Sequence, residues 1–481
     1  MTLNEYVSSL FGKKIGVIGI GISNLPLIRL LAFSGCDVTA CDARTVEKLG
    51  MDALNLINMG VKLRLGSDYL DNLDFDVIFR TPGLLPFEEH LEAAREKGCI
   101  VTSEMEAFFA VCPCKIFAVT GSDGKTTTTT IISELLKGAG YTVHLGGNIG
   151  HPLLCDAPIM KPEDIVVLEL SSFQLHSMKC HPNVSVITNI SPNHLDKHKD
   201  LADYIHAKKS IYLNQNENDI LVLNADDETS AQFAVETPSS VRWFTMNTCD
   251  PALSQVASYR NDPSLRSAQN GVFVAENKIW RMNFGEVEYI MSVDKIFLPG
   301  EHNVKNFIAA FTATEGYVSN QICRKIAMSF HGVEHRLETV RVLHGVTYIN
   351  DSIGSSPSRT IAGLKAMKKK PIVILGGYDK KIPFDFLGDE VCRMAKAAVI
   401  TGETAGKISE AICASALFDE AVGNGFHYEI ISDFDSSVYK ASELAEEGDI
   451  VLFSPACASF DHFKNFEERG NHFKSLIQEL K

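Results

Sequence analysis

The segment KIFAVTGSDGKTTTTTIISELLKGAG, at residues 115–140, constrains the fold of this chain more than any other. An apolar, β-forming run leads into a loop with two glycines, and the loop leads into a stretch of helical periodicity. The loop ends in Gly124, Lys125 and Thr126, as in the phosphate-binding pattern G-x-x-x-x-G-K-[ST], but Val119 occupies the position of the first glycine. The helix dipole disfavours a cation at a helix N-terminus unless an anion is bound there. The segment therefore predicts a strand–loop–helix unit that binds phosphate.

Length and composition predict a multidomain globular protein. A chain of 481 residues exceeds the size at which one hydrophobic core keeps growing, so we expect three domains. The apolar fraction of 45% and the charged fraction of 22% argue against a disordered chain, and the formal charge of −15 argues against nucleic-acid binding. The N-terminal residues lack a signal-peptide pattern, and no apolar run reaches the roughly 18 residues of a membrane span. We therefore expect a cytoplasmic protein that acts without a membrane.

Strands and helices also alternate in the rest of the chain. Residues 13–44 predict strand, glycine turn, helix and strand, but Asn24 replaces the third glycine of the dinucleotide pattern that Gly19 and Gly21 begin. Residues 240–298 predict a β meander, with a hairpin at NGVFVAENKIWRM. We predict an α/β protein of three domains: a Rossmann-like domain at 1–113, a central P-loop domain with a parallel sheet and a small β meander at 114–332, and a Rossmann-like domain at 333–481.

Polar side chains stand at the ends of two strands that follow the loop. Glu169 closes the strand IVVLEL, and His194 follows the strand VSVITNI. Because the carboxyl ends of parallel strands meet at one rim, we expect both near the loop, where a carboxylate suits Mg²⁺. The alternative is a zinc site, which a group of five histidines suggests. For all of these histidines except His194, we favour an ordinary exposed position on the surface. Those histidines are His176, His181, His194, His198 and His206.

Two further pairs of residues are candidates for ligand contacts. Asn303 and Asn306, in GEHNVKNFIAAF, are spaced i, i+3 and share one face of a predicted helix. Their amides suit a base or a phosphate, although helix capping explains one of them equally well. Cys112 and Cys114 lack a second Cys/His pair at zinc spacing, so a metal role is disfavoured for them.

Taken together, these motifs resemble those of the Mur ligase superfamily, whose phosphate loop has the shortened form T-G-x-x-G-K-T. The resemblance extends over all three predicted domains. It rests on TGSDGKTT, GGNIGHPL, LELSSFQL, NISPNHLDKH, YIHAKKSIY, PGEHNVKNFIAA, HRLE, YINDS, LGGYDKK and SPACASFDHFKNFEERG. The last motif is the most specific, and the D-N-P-R motif of the ligase that adds the third residue is absent. The resemblance therefore implies an ATP-dependent ligase that adds D-glutamate to UDP-N-acetylmuramoyl-L-alanine, acting as a monomer in peptidoglycan precursor synthesis.

The resemblance also implies a role for each matching position. The residues implied to contact ATP are Gly121, Ser122, Asp123, Gly124, Lys125, Thr126, Thr127, Asn303, Asn306, Arg336 and Asp351. The residues implied to bind two Mg²⁺ ions are Thr126, Glu169, His194 and Lys208, with Lys208 carbamylated by CO₂. The residues implied to be catalytic are Lys125, Glu169, His194 and Lys208. The residues implied to bind the nucleotide sugar are Ser23, Asn24, Asp42, Arg44, Thr81 and Asn148. Those implied to bind D-glutamate are Ser355, Lys380, Ser459 and Phe466.

The sequence departs from the family pattern at two positions. Ile353 replaces a lysine of N-D-S-K-A-T that contacts D-glutamate, and Lys381, beside Lys380, is a candidate to compensate. Asp123 stands beside the phosphates where asparagine is usual, so its charge must point away or meet Mg²⁺. The alternatives are folylpolyglutamate synthetase or another Mur step, a nicotinamide-dependent oxidoreductase suggested by Gly19, Gly21 and Asp42, and a nucleotide-gated regulatory protein without turnover.

Overall fold

The computed structural model describes residues 1–192, 197–247, 270–283, 286–298, 300–379 and 382–481. These residues form three mainly parallel sheets covered by helices, which confirms the predicted α/β class. The chain divides into two compact units, Met1–Phe330 and His331–Lys481. The predicted boundaries at 113/114 and 332/333 stay predictions. Within the described part of the chain, no helix has the length and apolar character that crossing a membrane requires.

The first sheet has five parallel strands in the order β3-β2-β1-β4-β5. Its strands are β1 (Lys14–Ile18), β2 (Asp37–Asp42), β3 (Lys62–Leu65), β4 (Val77–Phe79) and β5 (Ile100–Thr102). Its helices are Leu3–Ser8, Leu25–Phe33, Val46–Leu49, Met51–Asn58, Glu89–Glu96 and Glu104–Val111. The strand order reverses between β1 and β4, and ligands of open α/β sheets bind at such a switch point. The glycine turn after β1 and Thr81 after β4 lie at this point.

The second sheet has nine strands in the order β14-β13-β12-β11-β10-β9-β6-β8-β7. They are β6 (Lys115–Thr120), β7 (Val143–Gly147), β8 (Ile165–Glu169), β9 (Val184–Ile187), β10 (Ile220–Asn224), β11 (Ser240–Thr245), β12 (Gly271–Ala275), β13 (Lys278–Asn283) and β14 (Glu286–Ser292). The helices are Lys125–Gly138, Ser172–Leu175, Leu201–Lys209, Glu228–Ala231, Glu301–Ala313 and Asn320–Ser329, with 3₁₀ turns at Leu154–Ile159, Gln232–Val235 and Val293–Lys295. Strands β6 and β8 are buried on both faces, as their apolar runs predict for a covered parallel sheet.

The predicted meander is shorter in the structure. Strand β11 pairs in parallel with β10 and so belongs to the parallel part of the sheet. Of the described strands, only β12, β13 and β14 pair antiparallel in succession here, and the hairpin β12–β13 confirms the one predicted at residues 270–282. Residues 248–269, 284 and 285 of the predicted meander lie outside the described residues.

The third sheet, in the unit His331–Lys481, has six strands in the order β15-β16-β20-β17-β18-β19. They are β15 (Glu338–Leu343), β16 (Val346–Asn350), β17 (Ile372–Gly376), β18 (Ala397–Thr401), β19 (His427–Ile430) and β20 (Ile450–Phe453). The helices are Pro357–Ala366, Asp385–Met394, Ala405–Cys413, Phe418–Gly423, Phe434–Glu443 and Phe466–Glu479. The edge strand β15 pairs antiparallel with β16, and the buried strands β17 and β18 are continuous apolar runs.

Candidate active site

The loop between β6 and the helix Lys125–Gly138 needs glycine at two positions. Gly121 has φ +147°, and a Cβ there would lie 1.9 Å from Thr188 Oγ1. Gly124, the N-cap, has φ +76°, and its Cβ would lie 2.3 Å from Asn306 Oδ1. Both contacts are far inside van der Waals distance, so side chains of neighbouring segments pack directly on the loop backbone.

We expect Gly121→Ala to lower the free energy of unfolding by about 3 kcal/mol, because the new Cβ adds an overlap to an unfavourable φ. Gly140→Ala is the matched control. Gly140 also has a positive φ, +94°, but a Cβ added there would meet no atom of the described residues within 4 Å. Urea denaturation of both variants would measure the difference. Equal losses of stability in the two variants would contradict the overlap.

Residues after strand β9 brace the loop from the side. Ser122 Oγ donates to Ser191 O at 2.9 Å, and the Asp123 N–H donates to Asn189 Oδ1 at 2.9 Å. Thr188 Oγ1 donates to Asp123 O at 2.6 Å. The Asp123 side chain is exposed. The loop is therefore fixed through its backbone, while the extra carboxylate points to solvent.

Lys125 extends over the loop from the first position of its helix. Its Nζ donates to Gly121 O and to Ser122 O, both at 3.0 Å. Thr126 and Thr127, which follow it, are partly buried in the first helical turn. The N–H groups of such a turn have no acceptor within the helix, and the dipole favours an anion near them. This end of the helix thus combines backbone donors with a positive charge.

Asn306 contacts the same loop from the helix Glu301–Ala313. It is buried, and its Oδ1 accepts a hydrogen bond from Thr128 Oγ1 at 3.3 Å. Asn303 lies one turn earlier and is partly buried. Because Gly300 is the N-cap of this helix, capping explains neither asparagine. The alternative of a capping role is therefore wrong for both.

Glu169 ends strand β8 next to the loop strand, since β6 pairs with β8 in the register Val119↔Glu169. The residue is only 1% exposed. Its Oε1 accepts a hydrogen bond from Asn148 Nδ2 at 2.7 Å, but its buried Oε2 has no hydrogen-bond partner among the described residues. A buried carboxylate oxygen without a donor is costly. This oxygen fits a cation ligand, for which a hard divalent ion such as Mg²⁺ is suited.

Lys208 lies on the helix Leu201–Lys209 and is 1% exposed. Its Nζ donates to Gly121 O at 2.6 Å and lies 3.5 Å from Thr120 Oγ1. Burial and the positive charge of Lys125 hold the pKa of Lys208 well below its ordinary value. The pattern of the helix alone would indicate a solvated charge, whereas the fold places a buried amine against the phosphate loop.

The predicted histidines separate into three groups. His194 lies within residues 193–196, outside the described residues, so its metal role stays a prediction. His181 and His206 are exposed, as expected. The surface prediction is wrong for His198, which is 3% exposed, and the structure brings it and His176 onto one carboxylate, Asp203. Sequence reasoning named both histidines in the zinc alternative but missed Asp203, because only the fold brings His176 to the segment that carries His198 and Asp203.

The turn at the switch point of the first sheet is organised by Asp42. Its carboxylate accepts hydrogen bonds from the Ile20 N–H at 2.7 Å and from Arg44 Nη2 at 2.8 Å. Burial pushes the pKa of Asp42 upward, but the hydrogen bonds from Arg44 and Ile20 outweigh burial and lower the pKa. Arg44 remains exposed along its side chain. An ionised carboxylate thus fixes the glycine turn and orients an accessible guanidinium.

Asn24 occupies the position of the missing third glycine. It is 1% exposed, and its Nδ2 donates to Ile18 O at 2.9 Å, which ties the helix start to the end of β1. Its buried Oδ1 has no partner among the described residues. Ser23 and Thr81 are partly buried nearby in the fold, and a Cβ on Gly19 would lie 3.0 Å from Thr81 Cβ. The structure therefore places Ser23, Asn24, Asp42, Arg44 and Thr81 at or just after the carboxyl ends of the neighbouring strands β1, β2 and β4.

Asp351 directly follows strand β16 in the second unit and is buried. Its Oδ1 accepts from the Leu337 N–H at 3.2 Å, and its Oδ2 accepts from Ser454 Oγ at 2.6 Å. Burial outweighs these bonds and raises the pKa of Asp351 from 3.8 to about 6. Arg336, the other predicted contact in this region, is exposed.

This raised pKa predicts a pH dependence of stability. Because the folded state binds the proton more tightly, the stabilisation is complete below pH 3.8 and is lost as the pH rises through about 6. Relative to Asp351→Asn, the wild type should therefore lose about 3 kcal/mol over this range. This loss of stability is measured on the full chain by urea-dependent hydrogen exchange, followed in the peptic peptides that cover residues 331–481. Asp419→Asn, which alters an exposed aspartate of the same unit, is the control, and a parallel trend in that variant would contradict the assignment.

A buried arginine that sequence reasoning missed, Arg469, lies next to the segment of one predicted D-glutamate contact, Ser459, and on the helix that begins at another, Phe466. Arg469 donates to Ala458 O at 2.9 Å, to Cys457 O at 3.1 Å and to Ser352 O at 2.9 Å. Burial lowers its pKa to about 10. Ser459, the residue that follows Ala458, is buried. Ser352 Oγ donates to Phe466 O at 2.8 Å.

Arg469 thereby connects its own helix, which begins at Phe466, to the loops that carry Ser459 and, three residues after Ser352, the partly buried Ser355. Lys380 and Lys381 lie outside the described residues, so their roles stay predictions. A charged residue inside NFEERG was the available signal, but a helical arginine is usually solvated.

Comparisons with known proteins agree with the resemblance. The family profile described as "Mur ligase middle domain" matches residues 119–314, and "Mur ligase, glutamate ligase domain" matches residues 335–457. A UDP-N-acetylmuramoylalanine–D-glutamate ligase of Acetivibrio thermocellus is 46% identical over 99% of this chain and 99% of its own. A protein of the same name from Clostridium novyi is 44% identical over 100% of this chain and 99% of its own. The crystal structure of UDP-N-acetylmuramate-alanine ligase from Thermotoga maritima, 18% identical, superposes with a TM-score of 0.53 over 98% of this chain and 100% of that chain, which supports the fold.

Proposed function

This chain belongs to the Mur ligase family, and we propose on that premise that it joins D-glutamate to UDP-N-acetylmuramoyl-L-alanine, with ATP converted to ADP and phosphate. The observation that carries the chemistry is the phosphate loop. Its neighbouring strand ends in Glu169, whose Oε2 has no partner among the described residues, and the buried Lys208 amine lies against its backbone. A nicotinamide-dependent oxidoreductase would leave all three features without a purpose. The near full-length relatives that carry the name of this ligase support the choice of substrates.

The reaction proceeds in two displacements. A carboxylate oxygen of the nucleotide sugar attacks the γ-phosphorus of ATP, the new O–P bond forms, and the bond to the β-phosphate oxygen breaks to release ADP. The neutral amine of D-glutamate then attacks the acyl carbon, the C–O bond breaks, phosphate leaves, and the amine loses a proton to solvent. Phosphoryl transfer needs positioning and charge neutralisation rather than a protein nucleophile. Lys125 and the first-turn N–H groups supply these for the phosphates.

The residues present fit magnesium. Glu169 offers a buried oxygen to which no described residue donates, and Thr126 offers a hydroxyl at the start of the loop helix. We assign these two residues, together with His194 and a carbamylated Lys208, to two Mg²⁺ ions. When bound, the ions neutralise charge on the phosphates and on the attacking carboxylate. Asn148, hydrogen-bonded to Glu169 Oε1, holds that carboxylate in place. We assign Asn148 also to contact with the nucleotide sugar.

The environment of Lys208 supports the proposed carbamylation. Carbamates form when a neutral amine attacks the carbon of CO₂: the N–C bond forms, one C–O π bond becomes a C–O⁻, and the nitrogen releases a proton to solvent. The burial that lowers the pKa of Lys208 favours the neutral form of its amine. The product replaces a cation with an anionic oxygen donor, which suits magnesium.

The remaining substrate contacts fall on the other sheets. Asp42, Arg44, Ser23, Asn24 and Thr81 hold the UDP part of the nucleotide sugar at the switch point of the first sheet. In the second unit, D-glutamate is bound by Ser355, Ser459, Phe466 and Lys380. Lys381 is the candidate to compensate for the family lysine that Ile353 replaces. Arg336 and Asp351 join Asn303 and Asn306 as contacts of ATP. We further propose that the protein acts as a monomer in the cytoplasm, which light scattering and cell fractionation would test.

The decisive test is phosphate release from ATP and Mg²⁺ by purified protein given UDP-N-acetylmuramoyl-L-alanine with D-glutamate, L-glutamate or no amino acid. We expect release only with D-glutamate, and a product heavier by one glutamyl residue. Release with folate substrates would instead support folylpolyglutamate synthetase. Nucleotide binding without release under any condition would support a regulatory protein and would contradict the proposal.

A further inference from the structure

The helix Leu201–Lys209 presents two side chains to the phosphate loop. Tyr204 is buried and its hydroxyl pairs with Ser122 Oγ at 2.8 Å, while Lys208 Nζ donates to Gly121 O at 2.6 Å. The same Nζ lies 4.6 Å from the centre of the Tyr204 ring. The position of this helix therefore sets the position of the Lys208 amine.

The N-terminal turn of this helix is held by a carboxylate between two imidazoles. Asp203 Oδ1 pairs with His176 Nε2 at 2.8 Å, and Asp203 Oδ2 pairs with His198 Nδ1 at 2.9 Å. We call these three residues the His–Asp clasp. Their ligand atoms lie within 4.8 Å of one another, but each already has a hydrogen-bond partner inside the group, so a metal ion is not needed to explain them.

The clasp is rigid because the His198 ring is enclosed. Phe173 stacks on this ring with centroids 5.3 Å apart and planes 9° apart, and Tyr204 meets its edge at 5.2 Å. The second ring nitrogen, Nε2, pairs with Ser172 Oγ at 2.9 Å. Both nitrogens and the contacting surfaces of the ring are thus occupied, which fixes its orientation.

The other end of the clasp is anchored to the segment that follows Glu169. His176 comes directly after the short helix Ser172–Leu175. The buried Arg80, from the first sheet, donates to Phe173 O at 3.0 Å and to Ser177 Oγ at 2.8 Å and so holds this short helix in place. The clasp therefore joins the Lys208 helix to the segment that follows Glu169.

We propose that the His–Asp clasp is the positioning element that fixes the Lys208 amine for its reaction with CO₂, and that Asp203 is its central residue. This inference rests on the proposed function, because it assigns the clasp to the carbamate described there. Residues that orient a metal-binding or catalytic side chain through hydrogen bonds typically change the affinity or the activity of the site when they are removed. Small displacements of a reacting group also lower the reaction rate strongly. The bonds formed and broken are those of the carbamylation step given above.

The test compares carbamate formation in three variants of the full chain. Asp203→Ala removes both bonds of the clasp, whereas Asp203→Asn keeps one acceptor and one donor for the two imidazoles. His144→Ala is the matched control, because His144 forms a similar partly buried pair with Asp164 at 3.0 Å at the opposite end of strand β8. Each protein is titrated with ¹³C-bicarbonate, and the carbamate carbon is followed by NMR. Circular dichroism and thermal unfolding check the fold.

We expect Asp203→Ala to raise the bicarbonate concentration for half-maximal labelling by about tenfold or more. Asp203→Asn should recover most of that loss, and His144→Ala should label like the wild type. The turnover rate of the alanine variant should rise with added bicarbonate while its KM for ATP changes little. A folded Asp203→Ala protein that labels normally would overturn the inference, as would a loss of labelling that the asparagine fails to reduce.

The outcomes also separate this inference from the proposed function. Normal labelling of the wild type without phosphate release in the presence of D-glutamate would overturn the proposed reaction and leave the positioning role supported. Absence of labelling in the wild type would overturn the carbamate and the role of the clasp together, whatever the protein releases from ATP.

Discussion

Replacing Lys208 with alanine is expected to lower the turnover rate by about 100- to 1000-fold, because it removes the lysine whose carbamate we propose as an anionic metal ligand in a buried site. Lys208 is 1% exposed and its Nζ lies 2.6 Å from Gly121 O, so water does not readily replace it. Short-chain carboxylates such as formate or acetate should restore part of the activity, since they supply the missing oxygen donor. Steady-state phosphate release with and without added carboxylate measures both effects.

Lys209→Ala is the matched control for this substitution. Lys209 is the next residue of the same helix, but its Nζ pairs with Glu236 at 2.7 Å, away from the loop. Lys208→Met, which keeps most of the buried aliphatic volume, separates lost chemistry from lost packing. Undiminished activity of Lys208→Ala would remove the carbamate from the mechanism, and equal losses in both alanine variants would indicate a general effect on the helix.

Replacing Lys125 with methionine is expected to lower kcat/KM for ATP by about 100- to 1000-fold, because the loop loses the charge that we propose neutralises the phosphates. In the structure its Nζ donates to Gly121 O and Ser122 O at 3.0 Å and so lies over the loop that would cradle them. The affinity for the nucleotide sugar should change little, since its predicted contacts lie mainly on the first sheet. Initial rates over a range of ATP concentrations, together with calorimetric titration of the nucleotide sugar, test both statements.

Lys137→Met is the control, since Lys137 occupies the other end of the same helix and forms an exposed pair with Glu134 at 2.9 Å. It should behave as the wild type. A Lys125→Met protein that keeps its kcat/KM for ATP would contradict the assignment of the phosphate loop, and one that loses affinity for the nucleotide sugar as well would indicate a wider structural change.

Much of the fold could be predicted because its signals are local. Continuous apolar runs mark the buried parallel strands, and alternation with helical stretches indicates an α/β sheet. The hairpin at residues 270–282 follows from turn chemistry within a few residues. The pairing of β11 with β10 could not be predicted in this way, because partner choice among strands is decided by packing over long sequence separation.

The candidate site divides along the same line. The phosphate loop and Glu169 lie where a motif and a strand end predict them, since both depend on neighbours in sequence. The burial of His198, the clasp on Asp203 and the carbonyl cage around Arg469 could not be predicted. Charged and polar residues are usually exposed, so only the segments packed around them reveal these exceptions.

By itself, then, the sequence determined the three α/β segments, the phosphate loop with Lys125 and, through the family resemblance, the ligase chemistry. Only the tertiary structure decided that Lys208 is buried 2.6 Å from the loop backbone, that Glu169 Oε2 receives no hydrogen bond from the described part of the chain, and that His198 faces inward. The reason is physical. Backbone conformation and hydrophobic periodicity act over a few residues, whereas desolvation and hydrogen-bond pairing depend on groups that only the folded chain brings together.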